Sequence, residues 1–148
     1  PELSVSASSL PVDVNQGDCH AMNFVPFNLV RSNPSTMFNG ASPTNLVAPE
    51  DGVYSLTLTM TWSHSDGYVR GSYVSRARGA ALDLVGLPAE APGPSGYAQV
   101  IDAGTYELEA GDALRVAPVA CGVGMTPGTA PTLNELKADM KWVAQPAS

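Results

Sequence analysis

The side chains able to carry chemistry are few in this 148-residue chain. His20 and His64 are its two histidines, and neither stands in an HxxxH or HExxH spacing. A zinc site takes several nitrogen or sulfur donors, and no such set gathers around either ring in the sequence. Cys19 and Cys121 make no CxxC motif. Their separation suits either one structural disulfide or two reduced thiols packed as small apolar groups. Ser95 lies in GPSGY, which lacks the G-x-S-x-G spacing of a nucleophile elbow. The stretch GVGMTPG has neither the lysine nor the following helix that a phosphate loop needs. Glu50, Asp51, Glu107, Glu109 and Asp112 are dispersed over predicted strand ends and exposed faces. They read as solubilising charge, with a small cation site as the alternative. No catalytic residue, metal ligand or cofactor is assigned.

Charge narrows the partners. The net charge is −7, with seven Lys plus Arg in the whole chain. A nucleic-acid surface needs clustered cations to displace counterions, and Arg70, Arg76 and Arg78 are the nearest approach to one. The sequence contains no apolar run of the ~18 residues that mark a membrane-spanning helix. The opening PELSVSASSL shows no basic region followed by an apolar one, so no signal peptide is read there.

Whatever surface this chain uses must be positioned by strands. In Gly52–Trp62, Tyr54, Leu56, Leu58, Met60 and Trp62 alternate with Ser55, Thr57, Thr59 and Thr61. Period two predicts a strand with one apolar and one hydroxyl face. Leu136, Ala138, Met140 and Trp142 alternate in the same way with Lys137, Asp139 and Lys141. YVRGSYVSRAR reads as a strand broken by Gly71, AALDLVGL as a strand or short helix, and the segment around Gly111-Asp112 as two strands joined by a turn. CHAMNFVPFNLVRS reads as a strand pair with Pro26 at a bend, and NPSTMFNGASPTN as a loop. Fourteen Gly and thirteen Pro punctuate these runs. The expected class is all-β, a sandwich or a jelly roll. The expected organisation is an extended N-terminal arm over 1–18 and a single domain over 19–148.

The corner L46-V-A-P-E-D-G52-V-Y54-S-L56 resembles the signature of the complement 1q globular-head and tumour necrosis factor-like jelly-roll family. Leu46, Gly52, Tyr54 and Leu56 match its motif, with Leu in place of Phe at position 56. ADMKWVA resembles the family's closing strand, and LEAGDALRVAP the turn before its penultimate strand. The resemblance spans roughly Cys19 to Ala144, and its wording is more similar to members found in bacteriophage virions and bacterial genomes than to the collagen-tailed animal proteins. It implies an all-β, two-sheet antiparallel jelly-roll sandwich and a homotrimer in which Ser55, Thr57 and Thr59 face two neighbouring protomers. The alternative is that the hydroxyl face simply meets water, as half-solvated sheets do.

Two roles follow as expectations. One is a structural virion protein, assembled in the bacterial host cytoplasm, that decorates a phage capsid as a homotrimer. Its partners are then itself and the major capsid protein or another virion protein, with no nucleic acid and no membrane. In that role Leu3, Val5, Leu10 and Val12 of the arm are expected to anchor it. The other is the receptor- or glycan-binding head of a tail fibre, or a secreted binding module of the same fold. No enzymatic activity is expected in either.

Overall fold

The structure is a computed structural model, and it describes residues 1–8, 13–15, 23–62, 68–86, 91–92, 98–122 and 133–146. Eleven strands lie among these described residues. They are β1 (Glu2–Ser8), β2 (Asp13–Asn15), β3 (Leu29–Ser32), β4 (Leu46–Val47), β5 (Gly52–Trp62), β6 (Tyr68–Arg78), β7 (Ala81–Gly86), β8 (Ala91–Pro92), β9 (Ala98–Leu108), β10 (Ala113–Gly122) and β11 (Leu133–Ala144). One sheet has the order β3-β1-β11-β5-β9, and the other β2-β10-β6-β7, with β4 on β10 and β8 on β6. All pairings are antiparallel except that of β2 with β10. No helix occurs among the described residues. The all-β, two-sheet expectation holds.

The core lies between the sheets. Tyr54, Leu56, Leu58, Met60 and Trp62 are each at most 1% exposed, as the alternation of β5 predicts. Leu136, Ala138 and Met140 meet them from β11, and Leu114, Val116 and Ala120 from β10. A fully buried side chain of this size contributes about 1.5–3 kcal/mol, so this layer dominates stability.

The N-terminal segment departs from its expectation. Glu2–Ser8 is not a free arm. It is paired with β11 on one side and β3 on the other. Leu3 and Val5 are 3% and 0% exposed, sealed in the core, and neither is available as an anchor. Farther along, Asp13–Asn15 pairs with β10. Residues 1–18 thus contribute strands to both sheets. Leu10 and Val12 lie outside the described residues, as do Cys19, His20, His64 and Ser95; Cys121 is described only as backbone within β10.

Other local readings shift too. Tyr68–Arg78 runs through Gly71 as one strand, since Gly71 stays in register with Val119. The 80–87 stretch, read as strand or helix, is strand over Ala81–Gly86. Of the expected strand pair around Pro26, the described residues show β3, with Asn23–Asn28 irregular.

The Pro49–Gly52 corner is held by side chains. The Tyr54 hydroxyl donates to the Glu50 carbonyl at 2.8 Å, and Asp51 Oδ1 accepts from the Ala110 N–H at 2.8 Å. Trp142 Nε1 donates to the Asp51 carbonyl at 3.3 Å, laying its indole across Gly52. Gly52 does not occupy the left-handed region, so its need is steric: any Cβ would collide with the indole and approach the Ala144 carbonyl. Gly52→Ala is expected to lower stability by about 1–3 kcal/mol through this overpacking. Gly52→Ala in a Trp142→Ala background should cost much less. Urea melts of the four proteins of that cycle check it, and equal costs in both backgrounds would remove the indole from the explanation.

Candidate functional site

The alternation that buries one face of β5 turns Ser55, Thr57, Thr59 and Thr61 outward, each half-buried by its neighbours. Strand register sets those neighbours. Glu2, Lys141, Ser55 and Thr105 form one lateral row across β1, β11, β5 and β9. Ser4, Asp139, Thr57 and Ala103 form the next, then Ser6, Lys137, Thr59 and Ile101. The outer face of the five-stranded sheet is therefore a hydroxyl lawn with a charged strand through its middle.

That strand is β11. Its outward residues Glu135, Lys137, Asp139 and Lys141 alternate in sign and sum to zero. Lys137 and Lys141 are the two lysines of the whole chain. Lys137 Nζ lies 3.6 Å from Asp139 Oδ2, a half-exposed pair of the kind that adds little to stability. A shallow depression of about 310 Å³ opens on this face between Ser4, Ser32, Ser55, Thr57, Asp139 and Lys141. The sequence-predicted residues Ser55, Thr57 and Thr59 are thus brought together on one surface. Sequence reasoning missed the contribution of β1, because its serines were assigned to an arm.

An apolar rim flanks the face. Ile101, on edge strand β9, is 63% exposed, and Leu82 and Leu84, on edge strand β7 of the other sheet, are 43% and 56% exposed. Tyr106 of β9 sets its hydroxyl against Gly86 of β7, so the two edges lie along one side of the sandwich. Burial raises the Tyr106 phenol above its ordinary range.

The other half of the family-like motif is structural. Leu46, Tyr54 and Leu56 are all 0–1% exposed and belong to the core. With this geometry in hand, similarity to solved structures becomes informative. The globular domain of zebrafish complement 1qA superposes with a TM-score of 0.66 at 18% identity, over 99% of this chain and 98% of that one. The fold is the complement 1q and tumour necrosis factor-like jelly roll. Murine APRIL gives 0.59 at 14% identity over 95% and 99% of the two chains, and Eiger TNF from S. frugiperda 0.58 at 13% over 100% and 96%. No protein-family model and no curated protein sequence matches the chain. Among the described residues, no group of three or more His, Cys, Asp or Glu is placed to hold a metal ion. No helix among them is long and apolar enough to cross a membrane.

The carboxylate that sequence reasoning placed at the surface, Asp112, is 2% exposed. Arg78 closes a fork on it, Nε to Oδ1 at 2.9 Å and Nη2 to Oδ2 at 2.7 Å. The Glu109 N–H adds a third bond at 2.8 Å. The Arg78 guanidinium holds the Asp112 carboxyl below its ordinary value; burial opposes this, and the Glu109 N–H reinforces it. A carboxyl depressed on folding stabilises the protein above its unfolded pKa. That stabilisation is lost as pH falls through the lower folded value. The stability gap between wild type and Arg78→Met is therefore expected to be widest at neutral pH and to narrow in acid. Urea unfolding at several pH values measures the gap; one that did not change with pH would separate the pair from acid sensitivity.

Proposed function

We propose that the chain is a homotrimeric structural protein of a bacteriophage virion, seated on the capsid as a decoration protein. The observation that carries self-association is the outer face of the five-stranded sheet. A molecule of net charge −7 repels its own copies, yet the charges along the middle strand of this face cancel. Its serines and threonines offer short donors and acceptors that lose little side-chain entropy on burial. A ring of three needs two different patches, since cyclic contacts beyond a dimer are heterologous. The Leu82, Leu84 and Ile101 rim supplies the second, and its apolar side chains gain from being covered. The fold shared with complement 1q and TNF-like domains supports the same reading, and the likeness of the SPTNLVAPEDGVYSL wording to members from phage virions and bacterial genomes supports a virion protein.

Light scattering at micromolar concentration is expected to give three times the chain mass. Co-sedimentation with capsids stripped of the protein is expected to bring the trimer down. A monomer would sink the self-association, whereas a trimer that ignores capsids and binds host cells would move the protein to a tail.

A further inference from the structure

The loop between β3 and β4 contains the only Asn-Gly pair in the chain, Asn39-Gly40. Asn33 anchors the loop from within. Its Oδ1 accepts from the N–H groups of Met37 and Phe38, at 2.8 and 3.2 Å, and its Nδ2 donates to the Phe38 carbonyl at 2.9 Å. Beyond Phe38 the chain emerges into solvent, and Asn39, Gly40 and Ala41 are all exposed. The Ser42 N–H donates to the Asn39 carbonyl at 2.9 Å, closing a turn whose second residue is Gly40. The Ala41 N–H donates to Asn39 Oδ1 at 2.9 Å.

That arrangement resembles the start of a reaction. A donor on Oδ1 draws electron density from Cγ and stabilises negative charge that would develop on the oxygen. The neighbouring nucleophile is the Gly40 main-chain nitrogen, and among the described residues no acceptor holds its N–H. A Cβ at Gly40 would meet no atom within 4 Å beyond its chain neighbours, so that side of the residue is open.

We propose that Asn39 is a site of spontaneous deamidation through a cyclic imide. Hydroxide removes the Gly40 amide proton, and the nitrogen attacks Asn39 Cγ. A carbon–nitrogen bond forms, the bond from Cγ to the side-chain nitrogen breaks, and that nitrogen leaves as ammonia with a proton from water. Water then opens the ring at either carbonyl, leaving aspartate or isoaspartate. No redox partner is involved. Asn33 precedes Pro34, whose nitrogen carries no proton, and Asn45 precedes the fully buried Leu46.

The product changes a surface. Gly40 lines an open groove of about 620 Å³ with Phe27, Val30, Phe38 and Pro43. A carboxylate beside it adds negative charge to a mainly apolar rim, and isoaspartate also lengthens the main chain by one carbon at that point. The chain therefore carries a slow, age-dependent change of charge on a face separate from the hydroxyl lawn.

The test incubates the intact protein at mildly alkaline pH and physiological temperature, with mass-resolved peptide mapping of every asparagine. Asn39 is expected to convert first, yielding both products and ammonia. Gly40→Ala should slow the conversion at least several-fold while leaving the melting temperature unchanged, because the added methyl meets no atom yet shields the nitrogen. The unfolded chain in urea gives the intrinsic reactivity of the same pair. An Asn39 that converts in urea but stays amide in the folded protein would overturn the proposal, as would another asparagine reacting first or a rate unaffected by Gly40→Ala.

Discussion

Removing Pro1–Ser8 is expected to unfold this protein. β1 is an internal strand, bonded to β11 along its whole length and to β3 on its other side. Its deletion exposes the edge of β11 and strips β3 of its partner. Losing Leu3 and Val5 alone forfeits roughly 3–6 kcal/mol of apolar burial. Domains of this kind have about 5–15 kcal/mol in total, and the orphaned main-chain groups of β11 add a further cost. Circular dichroism and a thermal melt of the truncated chain check the expectation. A cooperative transition near the wild-type temperature would mean that β1 is dispensable and that an arm is the better description. A milder variant, Val5→Asp, tests the same burial without altering the ladder. It places an unpaired carboxylate in a fully closed core site and is expected to destabilise by several kcal/mol.

The strands easiest to read in the sequence were those with large apolar residues in strict alternation. β5 fills one face with Tyr, Leu, Met and Trp, and β11 does so with Leu, Ala, Met and Trp. β1 obeys the same period, with Leu3, Val5 and Ala7 in the core, Ser4 half-buried and Ser8 exposed, although Ser6 is itself covered. Its side chains are small and its neighbours polar, so the composition of the first eighteen residues outweighed their pattern. The period was the better guide. β7 was ambiguous for another reason: residues 81–84 are exposed on both faces, so no burial imprints a period on them. Asp112 was misplaced because its partner, Arg78, is 34 residues away, and only the fold joins them. Gly52 was legible only as a motif position; its cause is steric, the indole of Trp142 contributed by the last strand. The hydroxyl face was legible as a face, because alternation fixes orientation. Its charged centre was not, since the register of β11 against β5 is a long-range fact.

That register makes the test of self-association more selective. Arginine placed on the face should behave differently at two adjacent outward positions. Thr57 stands opposite Asp139, which can absorb an introduced guanidinium within the same chain. Thr59 stands opposite Lys137 on one side and Ile101 on the other, so an arginine there meets a like charge and an apolar group. Like charges directly opposed across strands are unfavourable, and a charge buried without a partner costs several kcal/mol. Thr59→Arg is therefore expected to weaken trimer formation roughly hundredfold or more, since about 3 kcal/mol corresponds to that change in an equilibrium constant. Thr57→Arg should weaken it less, and Thr59→Val, which keeps the shape and removes only a hydroxyl, least of all. Sedimentation velocity across a dilution series ranks the three against wild type, with the far-ultraviolet spectrum of each variant confirming an intact sandwich. Folded Thr59→Arg protein that stays trimeric to the wild-type dilution limit would show that this face meets water. The partner surface would then have to be sought on the Leu82–Leu84 edge alone.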